Sequence, residues 1–151
     1  MSLTIAETRD IAACRALRRV VFIEEQGVSE ADEVDDLDDQ AIHLLAVDGA
    51  PIGSARLMVL GAYGKIGRVC VLRQGRGQGI GAALIRAAVE RFRAEPGVTK
   101  VKLGAQVHAL LSQTGKPLHH LGLKVTLVHR GGRLMDRQLD DEGARCLADY
   151  L

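Results

Sequence analysis

Four glycines alternate with other residues in the middle of this sequence of 151 residues, at positions 75, 77, 79 and 81. They separate an apolar run that ends at Leu72 from a second apolar run that begins at Ile80. Residues without a Cβ let the backbone approach a ligand closely. The unpaired N–H groups of a helix's first turn and the positive end of its dipole favour an anion, and Arg76 adds a fixed positive charge. This segment therefore suits the binding of a phosphate or a pyrophosphate.

Other glycine-rich patterns set alternatives to this interpretation. A P-loop requires GxxxxGK[ST], and no Lys-Ser or Lys-Thr follows these glycines. A dinucleotide-binding site requires GxGxxG or GxGxxA, and residues 77–82 match the second form. That site also needs an acidic residue at the end of the next strand, where this chain has Leu103, Gly104, Ala105 and Gln106. A dinucleotide-binding protein and a turn that only caps a helix stay open as alternatives.

The elements on both sides of the glycines are predicted from periodicity. A helix is expected over residues 80–94, because apolar residues recur every four positions and Pro96-Gly97 stops the pattern. Its apolar stripe consists of Ile80, Leu84, Ala88 and Phe92. Asp10 is the predicted N-cap of an earlier helix that runs to about Phe22, and a further short helix is expected over residues 107–113.

Apolar runs between turn residues predict the strands. Strands are expected over residues 3–8, 42–47, 52–60, 66–72 and 98–105, with a closing hairpin of 123–129 and 133–139. The turns between them are residues 48–51 and 61–64, and residues 27–40 are expected to be a polar loop. Antiparallel strands followed by a strand–helix–strand crossover predict an α/β fold. It would have a single mixed, mostly antiparallel sheet with flanking helices, in one domain over residues 1–151.

Composition narrows the class of protein. The net charge of +1 gives no case for nucleic acid, and no basic run is interleaved with aromatic residues. No apolar stretch approaches the roughly 20 residues of a membrane helix, and no signal pattern opens the chain. Three cysteines at wide spacing argue against disulfides and fit a cytoplasmic protein. The five histidines lack metal-ligand spacing, so no metal is expected.

In this strand–helix context the glycine segment resembles the signature [Q/R]-x-x-G-x-[G/A] of the GNAT acetyltransferase superfamily. The matching residues are Arg76, Gly77, Gln78, Gly79, Ile80 and Gly81. Residues 21–28, the run Asp35…Asp38…Ala41…His43, and residues 66–69 and 105–108 are similar to the small bacterial ElaA-like and YjcF-like branch. The resemblance covers about residues 10–110. It implies the acyl-CoA N-acyltransferase fold and acetyl-CoA as cosubstrate.

The resemblance also implies roles for individual residues. Amides of the loop that spans Arg76, Gly77, Gln78, Gly79, Ile80 and Gly81 would hold the CoA pyrophosphate. The backbone of Val69, Cys70 and Val71 would pair with the pantetheine arm as a neighbouring strand does. A backbone N–H near Val71 would stabilise the oxyanion of the tetrahedral intermediate. The side chain of Cys70 is expected to be a small core residue rather than a nucleophile.

The chain departs from the family where a tyrosine usually protonates the leaving thiolate. No tyrosine lies between Tyr63 and Tyr150. Residues 117–123 are similar to that region with one residue deleted, and this alignment places His119 at the tyrosine position. An alignment without gaps places Gln113 there instead. His119 is thus the candidate acid, and a non-catalytic acyl-CoA-binding or sensor module is the alternative function.

Candidates for accepting the amine proton follow the first helix. Glu24 and Glu25 lie where the resemblance places the acceptor cleft, although two adjacent glutamates also fit a solvated helix end. The acidic segment, residues 30–39, has seven carboxylates. It is either a solvated loop or a cleft rim that attracts a cationic acceptor. His43 is expected to be a hydrogen-bonded structural histidine, and the role of His108 is left open.

The sequence therefore predicts an N-acetyltransferase that transfers acetyl from acetyl-CoA to an amine. The acceptor would be a small molecule or a peptide, and a cationic one if the acidic segment attracts it. No nucleic acid, membrane or metal is expected to take part. A homodimer is compatible with the sequence but is not indicated by any residue.

Overall fold

The structure is a computed structural model that describes residues 2–103. These residues belong to one compact unit, Met1–Gly104. The predicted helix over 107–113, the closing hairpin, and the candidates His108, Gln113 and His119 all lie outside the described residues. The single domain over residues 1–151 stays a prediction.

Within residues 2–103, five strands form one sheet, in the spatial order β1-β2-β3-β4-β5. Their bounds are β1 Thr4–Thr8, β2 Ile42–Asp48, β3 Ala50–Leu60, β4 Tyr63–Val71 and β5 Lys100–Leu103. Neighbouring strands are antiparallel from β1 to β4, and β5 is parallel to β4. The crossover between β4 and β5 contains a helix, as parallel neighbours require. The predicted mixed, mostly antiparallel sheet with flanking helices is confirmed.

Helices pack on both faces of this sheet. These are α1 Ile11–Arg18 and α3 Ile80–Arg93. A π-helical turn, Arg19–Glu25, continues α1, and the short helix α2, Glu30–Glu33, packs against that turn. The carboxylate of Asp10 accepts a hydrogen bond from the Ala13 N–H at 3.0 Å, so the predicted cap is confirmed. The helical segment runs to Glu25 rather than Phe22, and its winding changes from α to π at Arg19.

Helix α3 buries the stripe that its periodicity predicts. Ile80, Leu84, Ala88 and Phe92 are each at most 3% exposed, whereas Arg86, Glu90 and Arg93 face solvent. Burying a side chain such as Leu84 contributes roughly 1.5–3 kcal/mol. α3 packs against β2, β3 and β4, and α1 packs against the same strands. Gly53 of β3 faces Leu84 of α3, whereas Cys70, which pairs with the next residue Ser54, packs with Leu17 of α1. Because successive residues of a strand point to opposite faces, the two helices lie on opposite faces of the sheet.

Two predicted turns are shorter than expected. Asp48 and Ala50 form a pair, so the β2–β3 hairpin turns at Gly49 alone, with φ +74°, rather than over residues 48–51. Pro51 is within β3 because it lies beside an irregularity in the strand register, where a missing N–H is tolerated. β4 begins at Tyr63 rather than residue 66, so Gly64 is a strand residue and not a turn.

The predicted polar loop over residues 27–40 is also corrected. It contains helix α2, whose N-cap Ser29 accepts from the Asp32 N–H at 3.1 Å, and a single 3₁₀ turn at Asp38–Gln40. Glu33 and Asp38 are 3% and 1% exposed, so this segment is not uniformly solvated. Its charges pair with arginines of the sheet and of α1.

Candidate active site

The glycine loop, residues 75–81, connects β4 to α3. Gly77 and Gly79 adopt φ +78° and +77°, the left-handed region that disfavours residues with a Cβ. A Cβ at either position would meet no atom within 4 Å. The backbone of these two glycines therefore borders open space, where a ligand can approach it closely.

The other two glycines in the loop have different surroundings. Gly75 is buried, and a Cβ there would lie 2.7 Å from Cδ1 of Ile52, so the residue is required by packing. Gly81 is buried within the first turn of α3. The four alternating glycines thus have two different roles. Gly75 and Gly81 are buried, whereas Gly77 and Gly79 leave the backbone open to a ligand.

The N-terminus of α3 is suited to bind an anion. Gly79 occupies the N-cap, and no side chain caps the helix there. The Ile80 side chain is 3% exposed and points into the core, so this residue offers only its backbone to a ligand. The Gln78 amide donates to the carbonyl of Gln74 at 3.1 Å, which keeps that side chain on the loop. The first-turn N–H groups and the dipole favour negative charge.

Strand β4 leads directly into this loop. Val71 pairs with Gly53 of β3 on one edge, and Cys70 pairs with Ser54. Within residues 2–103, β5 pairs with β4 only along the four residues from Tyr63 to Ile66. The same edge of β4 from Gly67 to Val71 has no strand partner in this part of the chain. An extended ligand arm could pair with it as an additional strand does.

The side chain of Cys70 lies in the core and not at the open edge of β4. It is 3% exposed and packs with Leu17 and Val21, and its Sγ lies 3.4 Å from the Ser54 hydroxyl. Burial raises the pKa of the Cys70 thiol. Because a nucleophilic cysteine must be a thiolate, the arrangement agrees with the expectation that Cys70 is a core residue.

The side chain of Arg76 does not face the open side of the loop. Its Nε donates to the carbonyl of Val71 at 3.0 Å, and its Nη2 lies 2.6 Å from Oε2 of Glu25. The positive charge of Arg76 is therefore paired with a carboxylate, and its expected contribution to phosphate binding stays a prediction. Arg76 instead ties the end of the π-helical turn to the end of β4.

The two candidate bases differ in their surroundings. Glu25, with a side chain 20% exposed, is paired with Arg76 and lies beside the glycine loop. Glu24 is exposed to solvent. Both end the π-helical turn Arg19–Glu25, a rare local structure that is frequent at functional sites. The structure thus brings Glu25 and the loop together, and the roles of Glu24 and Glu25 in proton transfer stay predictions.

Three arginines surround one buried carboxylate in the acidic segment. Arg18 contacts both oxygens of Asp38, at 3.0 and 2.6 Å, Arg15 contacts it at 2.8 Å, and Arg56 at 3.1 Å. Burial works against ionisation, but hydrogen bonds from Arg18, Arg15 and Arg56 outweigh it and hold the pKa of Asp38 well below its usual range. Asp38 is thus an ionised structural residue and neither a solvated charge nor a steering one.

Two more carboxylates of the acidic segment pair with arginines of α1 and β3. Arg18 Nε lies 2.9 Å from Glu33, and Arg56 contacts Asp35 at 2.7 Å. The hydrogen bond from Arg56 lowers the pKa of Asp35. Both interpretations of the acidic segment therefore fail for Glu33, Asp35 and Asp38, whose charges are compensated. Asp36 and Asp39 are exposed, and attraction of a cation by them stays a prediction.

Sequence reasoning missed the arginines of this network. Arg56 lies between Ala55 and Leu57 in a mostly apolar strand. This position could have predicted the ion pairs, because a buried guanidinium needs carboxylate partners. The ring Nε2 of His43, with its side chain buried, contacts the Asp38 carbonyl at 2.8 Å. This geometry agrees with the structural role expected for that histidine.

A β-bulge interrupts β4 just before the residues expected to bind pantetheine. Arg56 pairs with Gly67 and Ser54 pairs with Cys70, so Ala55 faces two residues of β4, Arg68 and Val69. Arg68 has φ +50°, and among the described residues it is the single non-glycine with positive φ. Bulges redirect the backbone groups of a strand and are frequent beside active sites.

Residues 2–103 contain neither a membrane-spanning helix nor a cluster of metal ligands. No helix there is long and apolar enough to cross a membrane. No group of three or more His, Cys, Asp or Glu residues in that range is arranged to hold a metal ion. The expectations about membranes and metals for the whole chain stay predictions.

The arrangement of a bulged strand, a glycine loop and a helix N-terminus coincides with a family match. The model of the Acetyltransferase (GNAT) family matches residues 11–115. The chain belongs to the GNAT acetyltransferase family. The resemblance to that superfamily is confirmed over most of the segment that suggested it.

Similar proteins agree with this assignment. The chain is 35% identical over 95 residues to "Uncharacterized N-acetyltransferase YjcF" of Bacillus subtilis (strain 168), covering 62% of this chain and 67% of that one. An acyl-CoA N-acyltransferase from Pseudomonas aeruginosa has a similar structure, with a TM-score of 0.68, 31% identity, and coverage of 85% and 94%. Escherichia coli ElaA shares the fold, with a TM-score of 0.65, 24% identity, and coverage of 86% and 92%.

Proposed function

We propose that this protein transfers an acetyl group from acetyl-CoA to an amine. The observation that supports the proposal is the continuity of three features in one stretch of chain. These are the edge of β4 from Gly67 to Val71, which has no strand partner within residues 2–103, the open backbone of Gly77 and Gly79, and the N-terminus of α3, which no side chain caps. An extended pantetheine arm and a pyrophosphate need such features in that order.

The proposed reaction is direct. Backbone groups of Val69, Cys70 and Val71 pair with the pantetheine arm and bring the thioester carbonyl to the end of β4. A backbone N–H near Val71 donates to the oxyanion that forms when the amine attacks the carbonyl carbon. The C–N bond forms, the C–S bond breaks, and the CoA thiolate leaves. A base removes a proton from the amine, and an acid returns one to sulfur.

The proton carriers are proposed as follows. Glu25 lies beside the loop, where it is paired with Arg76, so it is the better placed of the two glutamates. His119 is proposed as the acid on the sequence resemblance alone. A histidine suits this task because its ordinary pKa near 6.5 leaves imidazolium present at neutral pH. A cationic acceptor is proposed on the exposed carboxylates of Asp36 and Asp39.

The test is a free-thiol release assay with acetyl-CoA across a panel of cationic, neutral and anionic amines. Release that depends on an amine, together with an acetylated product, supports the proposal. Acetyl-CoA binding without release for any amine supports the non-catalytic acyl-CoA-binding module instead.

His119→Ala should lower kcat by about 10²–10⁴-fold, with His120→Ala as the control of smaller effect. Wild-type turnover by His119→Ala would remove His119 from the mechanism.

A further inference from the structure

We infer that Arg68 is a positioning residue for acetyl transfer, because its side chain anchors the bulge of β4 to the acidic segment. This inference rests on the proposed function and adds a residue to it. The family signature in the glycine loop does not contain Arg68. Nothing in the roles expected for Val69, Cys70 and Val71 depends on the side chain that precedes them.

The backbone conformation of Arg68 is unusual for a residue with a side chain. It is the first of the two bulge residues that face Ala55, and its φ is +50°. In bulges of this kind the first residue is usually glycine, since a Cβ is disfavoured in the left-handed region. The side chain of an arginine at such a position must therefore make contacts that offset the unfavourable backbone conformation.

The contacts of the Arg68 side chain show what it gains. Its Nη2 donates to the carbonyls of Asp32 and Glu33, at 3.3 and 3.2 Å, and to the carboxylate of Asp35 at 3.4 Å. Its Nε lies 3.5 Å from Oε1 of Glu33. The side chain is 29% exposed. One guanidinium thus joins the bulge to the C-terminal end of α2 through two main-chain carbonyls and two carboxylates.

The acidic segment is itself held rigidly. Glu33 pairs with Arg18, and Asp35 pairs with Arg56, whose side chains are 2% and 8% exposed. Arg68 therefore connects the bulge to a buried network that spans α1, α2 and β3. The bulge directs the N–H groups of the next residues, which the proposed reaction uses to hold the thioester. A change of a few tenths of an ångström there alters alignment more than binding.

The planar guanidinium is needed because it reaches several acceptors at once. A lysine at this position has one ammonium on a flexible stem and replaces the charge but not the geometry. Arg68→Gly keeps the left-handed backbone without strain and removes only the anchor, so this substitution separates the two roles. Asp35→Asn weakens the same anchor from the other side.

The experiment compares Arg68→Gly with the wild type for kcat of thiol release and for acetyl-CoA affinity by calorimetry. We expect kcat to fall about 10- to 100-fold while the dissociation constant changes less than about threefold. Arg68→Lys should recover part of kcat. Arg91→Ala is the matched control, because Arg91 is 31% exposed and pairs with two glutamates at the other side of the fold. Its kcat should stay at the wild-type value.

An unchanged kcat in Arg68→Gly overturns the inference, as does a loss of affinity equal to the loss of kcat. Failure of the proposed function is a different result, since the wild type itself then releases no thiol. In that case amide hydrogen exchange at Val69–Val71 in the CoA complex is the readout. Exchange about tenfold faster in Arg68→Gly supports the anchor, and equal exchange overturns it.

Discussion

The glycine loop and the acidic segment are both polar stretches between buried elements, yet their structures are determined in opposite ways. The loop follows from local rules, because two glycines in the left-handed region lead into a helix that begins directly after them. The acidic segment is determined by arginines 15 to 36 residues away, on α1, β3 and β4. The carboxylates of Glu33, Asp35 and Asp38 are structural charges, whereas the loop leaves its backbone polar groups open. A run of charges in a sequence therefore indicates function only after its partners are known.

The largest effect is expected at the centre of the buried network. Asp38→Asn leaves the guanidiniums of Arg18 and Arg56 without their shared countercharge in a site that is 1% exposed. Breaking a buried ion pair from one side costs about 3–5 kcal/mol of the free energy of unfolding. Urea denaturation measures this loss. Asp39→Asn, one residue on and exposed, is the control and should stay within about 0.5 kcal/mol of the wild type. Equal stability of the two variants would contradict the assignment of Asp38.

The same carboxylate predicts a dependence of stability on pH. Because the pKa of Asp38 is lower in the folded protein than its ordinary value near 3.9, its contribution is fully present above that value. The contribution is lost as pH falls through the folded pKa. The wild type should lose stability between about pH 5 and pH 2, and Asp38→Asn should lose less over the same range. Asp35, whose pKa is also lowered, accounts for part of the slope that remains in the variant. Parallel curves for the two proteins would argue against an ionised, paired Asp38.

The glycine loop should respond in binding rather than in stability. Gly79→Val places a branched side chain in the open space above the loop and strains a backbone with φ +77°. We expect acetyl-CoA affinity to fall more than tenfold, which is about 1.4 kcal/mol. Gly97→Val is a matched control, because Gly97 has φ +86° and open space as well but follows the far end of α3. Calorimetry should show the affinity loss in Gly79→Val alone. A similar loss in both variants would mean that backbone strain, and not ligand contact, is responsible.

These differences explain how far sequence reasoning could go. The stripe on α3 and the Asp10 cap depend on residues within one element, so period and spacing were enough to predict them. Gly64 was predicted to be a turn, but a Cβ there would lie 2.5 Å from the Phe92 ring, so the residue is required by packing against α3. The pairs of Asp38 with Arg18 and Arg56 join distant parts of the chain, so the periodicity of the sequence does not predict them. The bulge at Arg68 depends on strand register, which the sequence alone does not specify.

A smaller effect is expected at the π-helical turn, which contacts the glycine loop through Glu25 and the acidic segment through Arg19. Glu25→Gln removes the partner of Arg76 and frees the guanidinium beside the loop. Because exposed ion pairs contribute about 0.2–1 kcal/mol, acetyl-CoA should bind up to about fivefold more tightly if the freed arginine turns toward phosphate. Glu24→Gln is the matched control and should leave the affinity unchanged. Weaker binding in Glu25→Gln would show that the pair with Glu25 holds the loop in its binding form.

The smallest effect concerns steering of the acceptor. Association enhanced by clustered charge typically changes 10- to 10³-fold with ionic strength. Since Glu33, Asp35 and Asp38 are compensated by arginines, kcat/KM for a cationic amine should fall less than about tenfold between roughly 0.05 and 0.5 M salt. Asp36→Asn should remove part of that fall. A steeper dependence would restore the acidic segment as a steering surface.

The central claim is that acetyl-CoA binds along the end of β4 and the glycine loop and not at the acidic segment. Amide proton and nitrogen chemical shifts during a titration with acetyl-CoA test it most directly, because every described residue except proline reports separately. We expect the largest changes at Val69, Val71, Gly77, Gly79 and Gly81, with small changes at Asp36 and Asp39. Changes concentrated at the acidic segment, with the glycine loop unaffected, would contradict it.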